Sequence, residues 1–226
     1  MIKDKVVKIL SEIPVSVQVV AAAKTRNARE ISEAIDAGVK IIGENYVQEA
    51  KEAFGIIGRK VKWHFIGHLQ KNKVKKVVEI FDLIETVDTY SLAEQINKHC
   101  AKTGKIMPLL IEINSTGEEQ KFGVLAKDAL ELIREISILE NLKIYGLMTM
   151  GPNTDNIEIL RNCFAEIKNL FETIKAQKLP SVEMRMLSMG MSGSYKIAIE
   201  QGANVVRLGT VIFGQRNCSV DNREKL

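Results

Sequence analysis

The chain has 226 residues, of which 46% are hydrophobic and 27% are charged, as in a packed globular protein. No stretch approaches the roughly 20 apolar residues that a membrane-spanning helix needs, and the charged N-terminal segment does not resemble an export signal. The net charge of +4 is too small to require a polyanionic partner. Three widely spaced cysteines, Cys100, Cys163 and Cys218, argue against a disulfide framework or a cysteine zinc site, so we expect a reducing, cytoplasmic location.

The N-terminal segment, residues 2–13, is amphipathic, with Val6, Ile9 and Leu10 recurring at helical spacing. From there on, short apolar runs rich in β-branched residues alternate with longer stretches of helical period. The apolar runs predict eight strands, at residues 17–23, 39–43, 61–67, 83–87, 108–113, 144–148, 184–189 and 204–208.

The first helix of this series carries clear start and stop signals. Asn27, followed three residues later by Glu30, predicts a capping box, and Gly38 stands where a left-handed residue often ends a helix. Strands alternating with helices predict a parallel sheet with right-handed crossovers. Eight such strands favour a single (β/α)8 TIM-type barrel domain over residues 1–226. Because little chain follows the last strand, we expect the N-terminal helix to take the place of the eighth helix.

The densest basic cluster lies in a short helical stretch between the third and fourth predicted strands. Its valines recur at helical spacing, which favours a helix with a buried apolar face and a solvated basic face over a nucleic-acid-binding patch. The lysines are Lys71, Lys73, Lys75 and Lys76, and the valines are Val74, Val77 and Val78.

In a βα barrel, working residues lie where strands end and the following loops begin. Lys24 follows a first strand of small apolar residues and so points toward a partly desolvated region. Desolvation disfavours the ammonium form of lysine, and a neutral amine attacks aldehydes to form an imine. A lysine after a strand is normally a surface residue, so this interpretation depends on the residues that accompany it.

The seventh and eighth predicted strands end in glycine- and hydroxyl-rich sequences, at residues 187–194 and 206–210. Glycine lets the backbone approach an anion, and hydroxyls and backbone amides donate to its oxygens. Phosphate commonly binds after these two strands of the architecture. The pattern therefore predicts a phosphate site, although Gly-Ser turns also serve simply as connections.

His64 and His68 are four residues apart and could suggest a metal pair. Residues four apart in a strand lie about 13 Å from each other, so hydrogen bonding at the barrel rim is the better interpretation. Cys100 and Cys163 fall within helical stripes, where small buried side chains are expected.

Several segments together closely resemble the pyridoxal phosphate homeostasis proteins. The likeness spans most of the chain in the same order, and the second and third segments are long enough to be very specific. They are AKT at 23–25, GENYVQE at 43–49, WHFIGHLQKNK at 63–73, GLM at 146–148, LSMGMS at 187–192, VRLGT at 206–210 and IFG at 212–214.

The resemblance implies a barrel similar to the N-terminal domain of alanine racemase, holding pyridoxal 5'-phosphate (PLP) as a Schiff base on Lys24. It also implies that Arg207 faces the pyridine nitrogen, which weakens the cofactor as an electron sink. The sequence departs from the family pattern at Asn27, where Pro is usual, and at Gly193-Ser194, where an acidic residue is common. The implied cofactor contacts are Lys24, Asn45, Ser188, Ser192, Arg207, Gly209 and Thr210.

The leading hypothesis is a non-enzymatic PLP-binding protein of vitamin B6 homeostasis, monomeric, with PLP-dependent apoenzymes as possible recipients and neither nucleic acid nor membrane as a partner. Related racemases take a second catalytic base from another domain, and the barrel is expected to use up this chain. The alternative is a PLP-dependent, racemase-like enzyme that borrows Tyr195 or a histidine as its base. A third hypothesis is a barrel that binds RNA or protein through the basic cluster.

Overall fold

The computed structural model describes residues 1–118 and 120–215, so Cys218 lies outside the described residues. Nine parallel strands alternate with helices along the chain. The strands are β1 (Gln18–Ala22), β2 (Ile41–Glu44), β3 (Lys62–Phe65), β4 (Leu83–Val87), β5 (Met107–Asn114), β6 (Val124–Leu125), β7 (Leu142–Thr149), β8 (Val182–Met189) and β9 (Val205–Leu208).

Nine α-helices occur in the described part of the chain, with short 3₁₀ turns at Gly58–Lys60 and Lys71–Lys73. They are α1 (Ile2–Glu12), α2 (Ala28–Asp36), α3 (Val47–Ile57), α4 (Val74–Ile80), α5 (Tyr90–Thr103), α6 (Ala129–Ser137), α7 (Ile157–Ala176), α8 (Tyr195–Glu200) and α9 (Thr210–Phe213).

Eight of the strands close into a barrel, and each of them coincides with one of the predicted strands. The order runs β4-β3-β2-β1-β9-β8-β7-β5, and pairing between β4 and β5 completes the circle. β6, which was not predicted, is a two-residue extension paired with the end of β5. The predicted (β/α)8 fold is therefore confirmed.

The N-terminal helix occupies the predicted place. Helix α1 packs against both α2 and the four-residue α9, so it covers the seam where β1 meets β9. Val6 and Ile9 are its buried residues, as the amphipathic pattern indicates. The capping box of α2 is also confirmed, because Asn27 accepts from the Glu30 amide and Glu30 accepts from the Asn27 amide.

The core has two parts. The larger lies between the strands and the surrounding helices. The smaller fills the barrel interior, and its apolar side chains come from seven barrel strands and the end of β3: Val20, Ile41, Ile66, Leu83, Leu110, Met148, Met186 and Val205. Toward the C-terminal ends of the strands the buried interior becomes polar, with His64, Glu85, Glu112, Ser188 and Arg207. The barrel thus has an apolar floor beneath a polar mouth.

Candidate functional site

The structure brings the predicted contact residues together at one side of the barrel mouth. All of them belong to the C-terminal ends of β2, β1, β9 and β8, which are four consecutive strands of the sheet. Pairing of Ala21 with Leu208 sets Gly209 beside Ala22, where a Cβ on the glycine would lie 3.5 Å from the Ala22 carbonyl oxygen. The segments that carry Lys24 and Thr210 are therefore neighbours.

Lys24 lies in a tight turn directly after β1. The Arg26 amide donates to the Ala23 carbonyl at 2.9 Å, which makes Lys24 and Thr25 the two central residues of the turn. The inward-facing residues of β1 are Val20 and Ala22, so the alternation of the strand carries Lys24 to the side of the interior. Lys24 is half-buried at this position.

Arg207 lies in the barrel interior and is 3% exposed. Its Nη1 donates to the Ser188 hydroxyl at 2.7 Å, and its Nη2 donates to the Thr149 carbonyl at 2.7 Å. Both partners are fully buried, and they belong to the neighbouring strands β8 and β7. The guanidinium group is therefore held in one orientation by groups of the protein itself.

A second set of hydrogen bonds, centred on Glu85, holds Ser188 in place as the partner of Arg207. The Ser188 hydroxyl donates to Glu85 Oε2 at 2.6 Å, and His64 Nδ1 lies 2.8 Å from Glu85 Oε1. Burial alone would raise the pKa of Glu85, but the hydrogen bond and charge of His64, together with Arg207, outweigh it and lower the pKa. Glu85 is thus ionised, and His64 carries its proton on Nδ1 because a carboxylate can only accept.

One further carboxyl group, that of Glu112, acts on Arg207. Burial lowers the pKa of the Arg207 guanidinium, whereas the carboxyl groups of Glu85 and Glu112 raise it. Burial and the charge of Asp88 raise the pKa of Glu112 to about 7. Glu112 therefore titrates near neutral pH, while the guanidinium keeps its charge.

Ser192 and the backbone after β9 form the predicted anion-binding segment. The Ser192 hydroxyl accepts from the Gly209 amide at 3.3 Å and from the Val211 amide at 3.4 Å. Thr210, between them, is exposed. Two backbone amides therefore converge on the Ser192 hydroxyl, a neutral oxygen whose place as acceptor an anion can take.

Gly190 sets the path of the loop that carries Ser192. It has φ of 92°, and a Cβ there would lie 2.6 Å from the Ala198 Cβ and 3.0 Å from the Tyr195 Cα. Its carbonyl accepts from the Arg207 amide at 3.1 Å. Only glycine fits both the backbone conformation and the space at this point.

Asn45, the remaining predicted contact, is half-buried after β2. Its backbone packs directly on Gly67, where a Cβ would lie 2.3 Å from the Asn45 carbonyl oxygen. Asn45 is thus placed by backbone contact with the loop after β3.

Comparisons with known proteins decide the family. Residues 2–217 match the family described as alanine racemase, N-terminal domain. The pyridoxal phosphate homeostasis protein of Pasteurella multocida is 38% identical over 207 residues, covering 90% of this chain and 88% of the relative. The chain belongs to the pyridoxal phosphate homeostasis protein family.

Solved structures agree with this membership. PipY of Synechococcus elongatus, solved with PLP bound, has a TM-score of 0.87 and 31% identity, and the match covers 95% of this chain and all of PipY. An alanine racemase of Clostridium difficile has a TM-score of 0.77 at 14% identity, covering 95% of this chain and 55% of the racemase. The second likeness shows that the barrel fold is shared.

Ser188, predicted to contact the phosphate, makes two hydrogen bonds inside the barrel. Its hydroxyl proton goes to Glu85 and its oxygen accepts from Arg207, so in this arrangement it has no donor left for a phosphate oxygen. The position fits a residue that orients Arg207. The other predicted contact residues lie at or after the C-terminal ends of β1, β2, β8 and β9.

Tyr195, one of the bases considered for a racemase-like enzyme, lies on the outer side of the barrel. The Tyr195 hydroxyl donates to Glu12 of α1 at 3.4 Å, and its ring belongs to the outer core. His68 stacks on Phe122 with ring centroids 3.7 Å apart, whereas the hydrogen bonding predicted for His64 is confirmed. No group of three or more potential metal ligands occurs among residues 1–118 and 120–215.

Two burial predictions are confirmed: that of the cysteines and that of the valine face of the basic helix. Cys100 and Cys163 are buried in α5 and α7, and burial raises the pKa of the Cys100 thiol to about 11. In the basic helix, Val74, Val77 and Val78 are buried, while the lysines of the cluster are exposed. Within the described residues, no helix has both the length and the apolar character to cross a bilayer.

Sequence reasoning missed Glu85 and Glu112, the acidic residues of the polar interior. Both are embedded in apolar strand sequences, LIETV and MPLLIEIN. A carboxylate inside such a run is rarely buried without a partner. The contrast between a charged residue and its apolar run was the signal in the sequence. The sequence does not reveal that Arg207 and His64 lie opposite these carboxyl groups.

Proposed function

We propose that this protein binds pyridoxal 5'-phosphate in the mouth of a single barrel domain, residues 1–226, and serves vitamin B6 homeostasis in the cytoplasm as a monomer. The observation that carries the proposal is the position of Arg207, a buried, pre-oriented cation on β9, the strand that pairs with the strand preceding Lys24. The family relatives are named for PLP homeostasis, and PipY was solved with PLP bound.

The residues at the mouth fit the chemistry of this cofactor. The phosphate would take over the Gly209 and Val211 amides that now donate to Ser192, with the Ser192 and Thr210 hydroxyls as further donors. Asn45, after β2, would line the pocket. We assign Ser188 to holding Arg207, since its hydroxyl is already committed to Glu85.

Lys24 is the proposed covalent anchor. Its Nζ amine would attack the aldehyde carbon of PLP, and loss of one water would leave a C=N bond, the Schiff base. When bound, the cofactor supplies an aldehyde for this linkage and a ring that withdraws electrons most strongly when its nitrogen is protonated.

Arg207 favours storage of the cofactor over catalysis. A guanidinium group is a permanent cation with donors only, so a pyridine nitrogen facing it remains an unprotonated acceptor. That form is a poor electron sink for carbanion chemistry. Tyr195, the base considered for a racemase, bonds to Glu12 on the outer side of the barrel. We therefore propose a carrier or buffer of PLP that hands the cofactor to apoenzymes.

Peptide mapping tests the anchor. After incubation with PLP and borohydride reduction, mass spectrometry should find the pyridoxyl adduct on the peptide containing Lys24, and Lys24→Ala should remove that adduct. Lys98→Ala, which changes an exposed lysine on α5, is the matched control and should react as wild type. An adduct that persists in Lys24→Ala at wild-type yield contradicts the assignment.

A panel of amino acids tests the carrier function. The protein loaded with PLP is incubated with each amino acid and the products are resolved by chiral chromatography. We expect no turnover above that of free PLP. Robust racemisation would overturn the proposal in favour of the enzyme.

A further inference from the structure

We propose that Glu49 is a positioning residue for Lys24, because it clamps the turn that presents the lysine. This inference rests on the proposed function, in which Lys24 forms the Schiff base. Glu49 lies in the first turn of α3, half-buried, 24 residues away from the amide that it holds. No pattern in the intervening sequence predicts this hydrogen bond between the Thr25 amide and Glu49.

The turn at Lys24 is conformationally costly. Thr25, its second central residue, has φ of 66°, a conformation that glycine or asparagine adopts easily and that a β-branched residue adopts rarely. Such conformations cost free energy and persist only when their surroundings enforce them. The costly residue is the immediate neighbour of Lys24, so relaxation of the turn would redirect the lysine.

Glu49 supplies that enforcement. Its Oε2 accepts from the Thr25 amide at 2.7 Å, a charge-assisted hydrogen bond that the turn makes only in this conformation. In a capping box, a glutamate at this third helical position would turn back to the amide of the N-cap, as Glu30 does in α2. The cap residue of α3, Tyr46, makes no such side-chain bond, and Glu49 reaches across to the turn instead.

A second carboxyl group, that of Glu44, lies close enough to Glu49 to feel its charge. Glu44 is fully buried, and neither of its side-chain oxygens makes a hydrogen bond with a described residue. Burial and the charge of Glu49 raise the pKa of Glu44 well above its usual range, and the Asn45 amide offsets this only in part. The carboxyl group that holds the Thr25 amide therefore also acts on the buried Glu44.

The test uses visible absorbance to measure the rate of Schiff-base formation with PLP. It compares wild type, Glu49→Ala, Glu49→Gln and the double variant Thr25→Gly/Glu49→Ala. Glu49→Ala should slow it about tenfold, since the turn is no longer enforced. Glu49→Gln should stay within about twofold of wild type, because its amide oxygen still accepts from Thr25. Adding Thr25→Gly to Glu49→Ala should restore the rate, because glycine adopts the turn without a clamp.

Hydrogen exchange of the Thr25 amide, measured by NMR without PLP, gives an independent readout. Exchange should accelerate in Glu49→Ala and stay near wild type in Glu49→Gln. A wild-type rate of Schiff-base formation and unchanged exchange in Glu49→Ala would overturn the role proposed for Glu49 and leave the proposed function standing. If wild type forms no Schiff base, both this inference and the proposed function fail. If Glu49→Ala does not fold, the double variant decides, and slow reaction there overturns the clamp.

Discussion

Glu112, in the polar mouth of the barrel, makes the free energy of unfolding depend on pH. Its pKa rises from 4.5 in the unfolded chain to about 7 in the fold, so the folded state retains a proton that the unfolded chain releases. The stabilisation is fully present below pH 4.5 and is lost as pH rises through 7. A single such group changes the free energy of unfolding by at most about 1.4 kcal/mol per pH unit.

Glu112→Gln should therefore flatten the pH dependence of the free energy of unfolding between about pH 4.5 and 7. Denaturant titrations of wild type and variant across this range measure the difference. Glu135→Gln, at an exposed position on α6, is the matched control and should leave the profile unchanged. Equal slopes in wild type and Glu112→Gln would show that this carboxyl group does not hold a proton in the fold.

Thr210 contributes a hydroxyl to the proposed phosphate site without supporting the core, because it is exposed at the rim. Thr210→Val should weaken PLP retention roughly tenfold, which is the loss of one hydrogen bond to a charged group. Thr210→Ser keeps the hydroxyl and should retain near wild-type affinity. Equilibrium dialysis against PLP measures both, and equal affinity of Val and Ser variants would remove Thr210 from the site.

At the scale of elements, the loop after β3 places the loop after β2 by direct backbone contact. Gly67→Ala would set a Cβ 2.3 Å from the Asn45 carbonyl oxygen, so one of the two loops must move. We expect a loss of about 1–3 kcal/mol in the free energy of unfolding, together with weaker PLP binding.

Gly55→Ala is the matched control for this substitution. Gly55 is exposed in α3, and nothing lies within 4 Å of an added Cβ. Alanine should stabilise the helix by about 0.5–1 kcal/mol relative to glycine. Thermal melts that gave both variants the same sign of change would contradict the packing described at Gly67.

The sequence predicts the regular elements well, because the interior of a parallel barrel demands continuous apolar runs. Eight such runs mark the barrel strands, and the Asn27 capping box marks the start of α2. β6 escaped prediction because two residues carry no periodic pattern. The role of Tyr195 escaped as well, since only the fold reveals that its hydroxyl meets Glu12 of a helix at the other end of the chain.

The candidate site likewise contains features that the sequence predicts and features that only the fold reveals. Lys24, Arg207 and the glycine-rich segment after β9 are local features that a strand-end pattern or a family resemblance can identify. The partners of Arg207 come from β4, β7 and β8 and meet only after the barrel closes. The Glu49 clamp likewise joins two helix-start regions that the sequence gives no reason to pair.

At the scale of the whole molecule, the barrel combines an apolar floor with a polar, charged mouth. The floor excludes water beneath the network that runs from His64 through Glu85 and Ser188 to Arg207. Low dielectric surroundings strengthen these hydrogen bonds and make each of them costly to leave unpaired. The same network holds a cation at the depth where the ring nitrogen of PLP is proposed to lie, with Lys24 at the rim.

The central claim is that one lysine at this rim forms a Schiff base with PLP. The most direct measurement is a visible absorption spectrum of the purified protein during titration with PLP, followed by borohydride. We predict a yellow band that saturates at one PLP per chain, is bleached on reduction and is absent from Lys24→Ala. A protein that is colourless after incubation with saturating PLP and removal of the unbound cofactor would contradict the account.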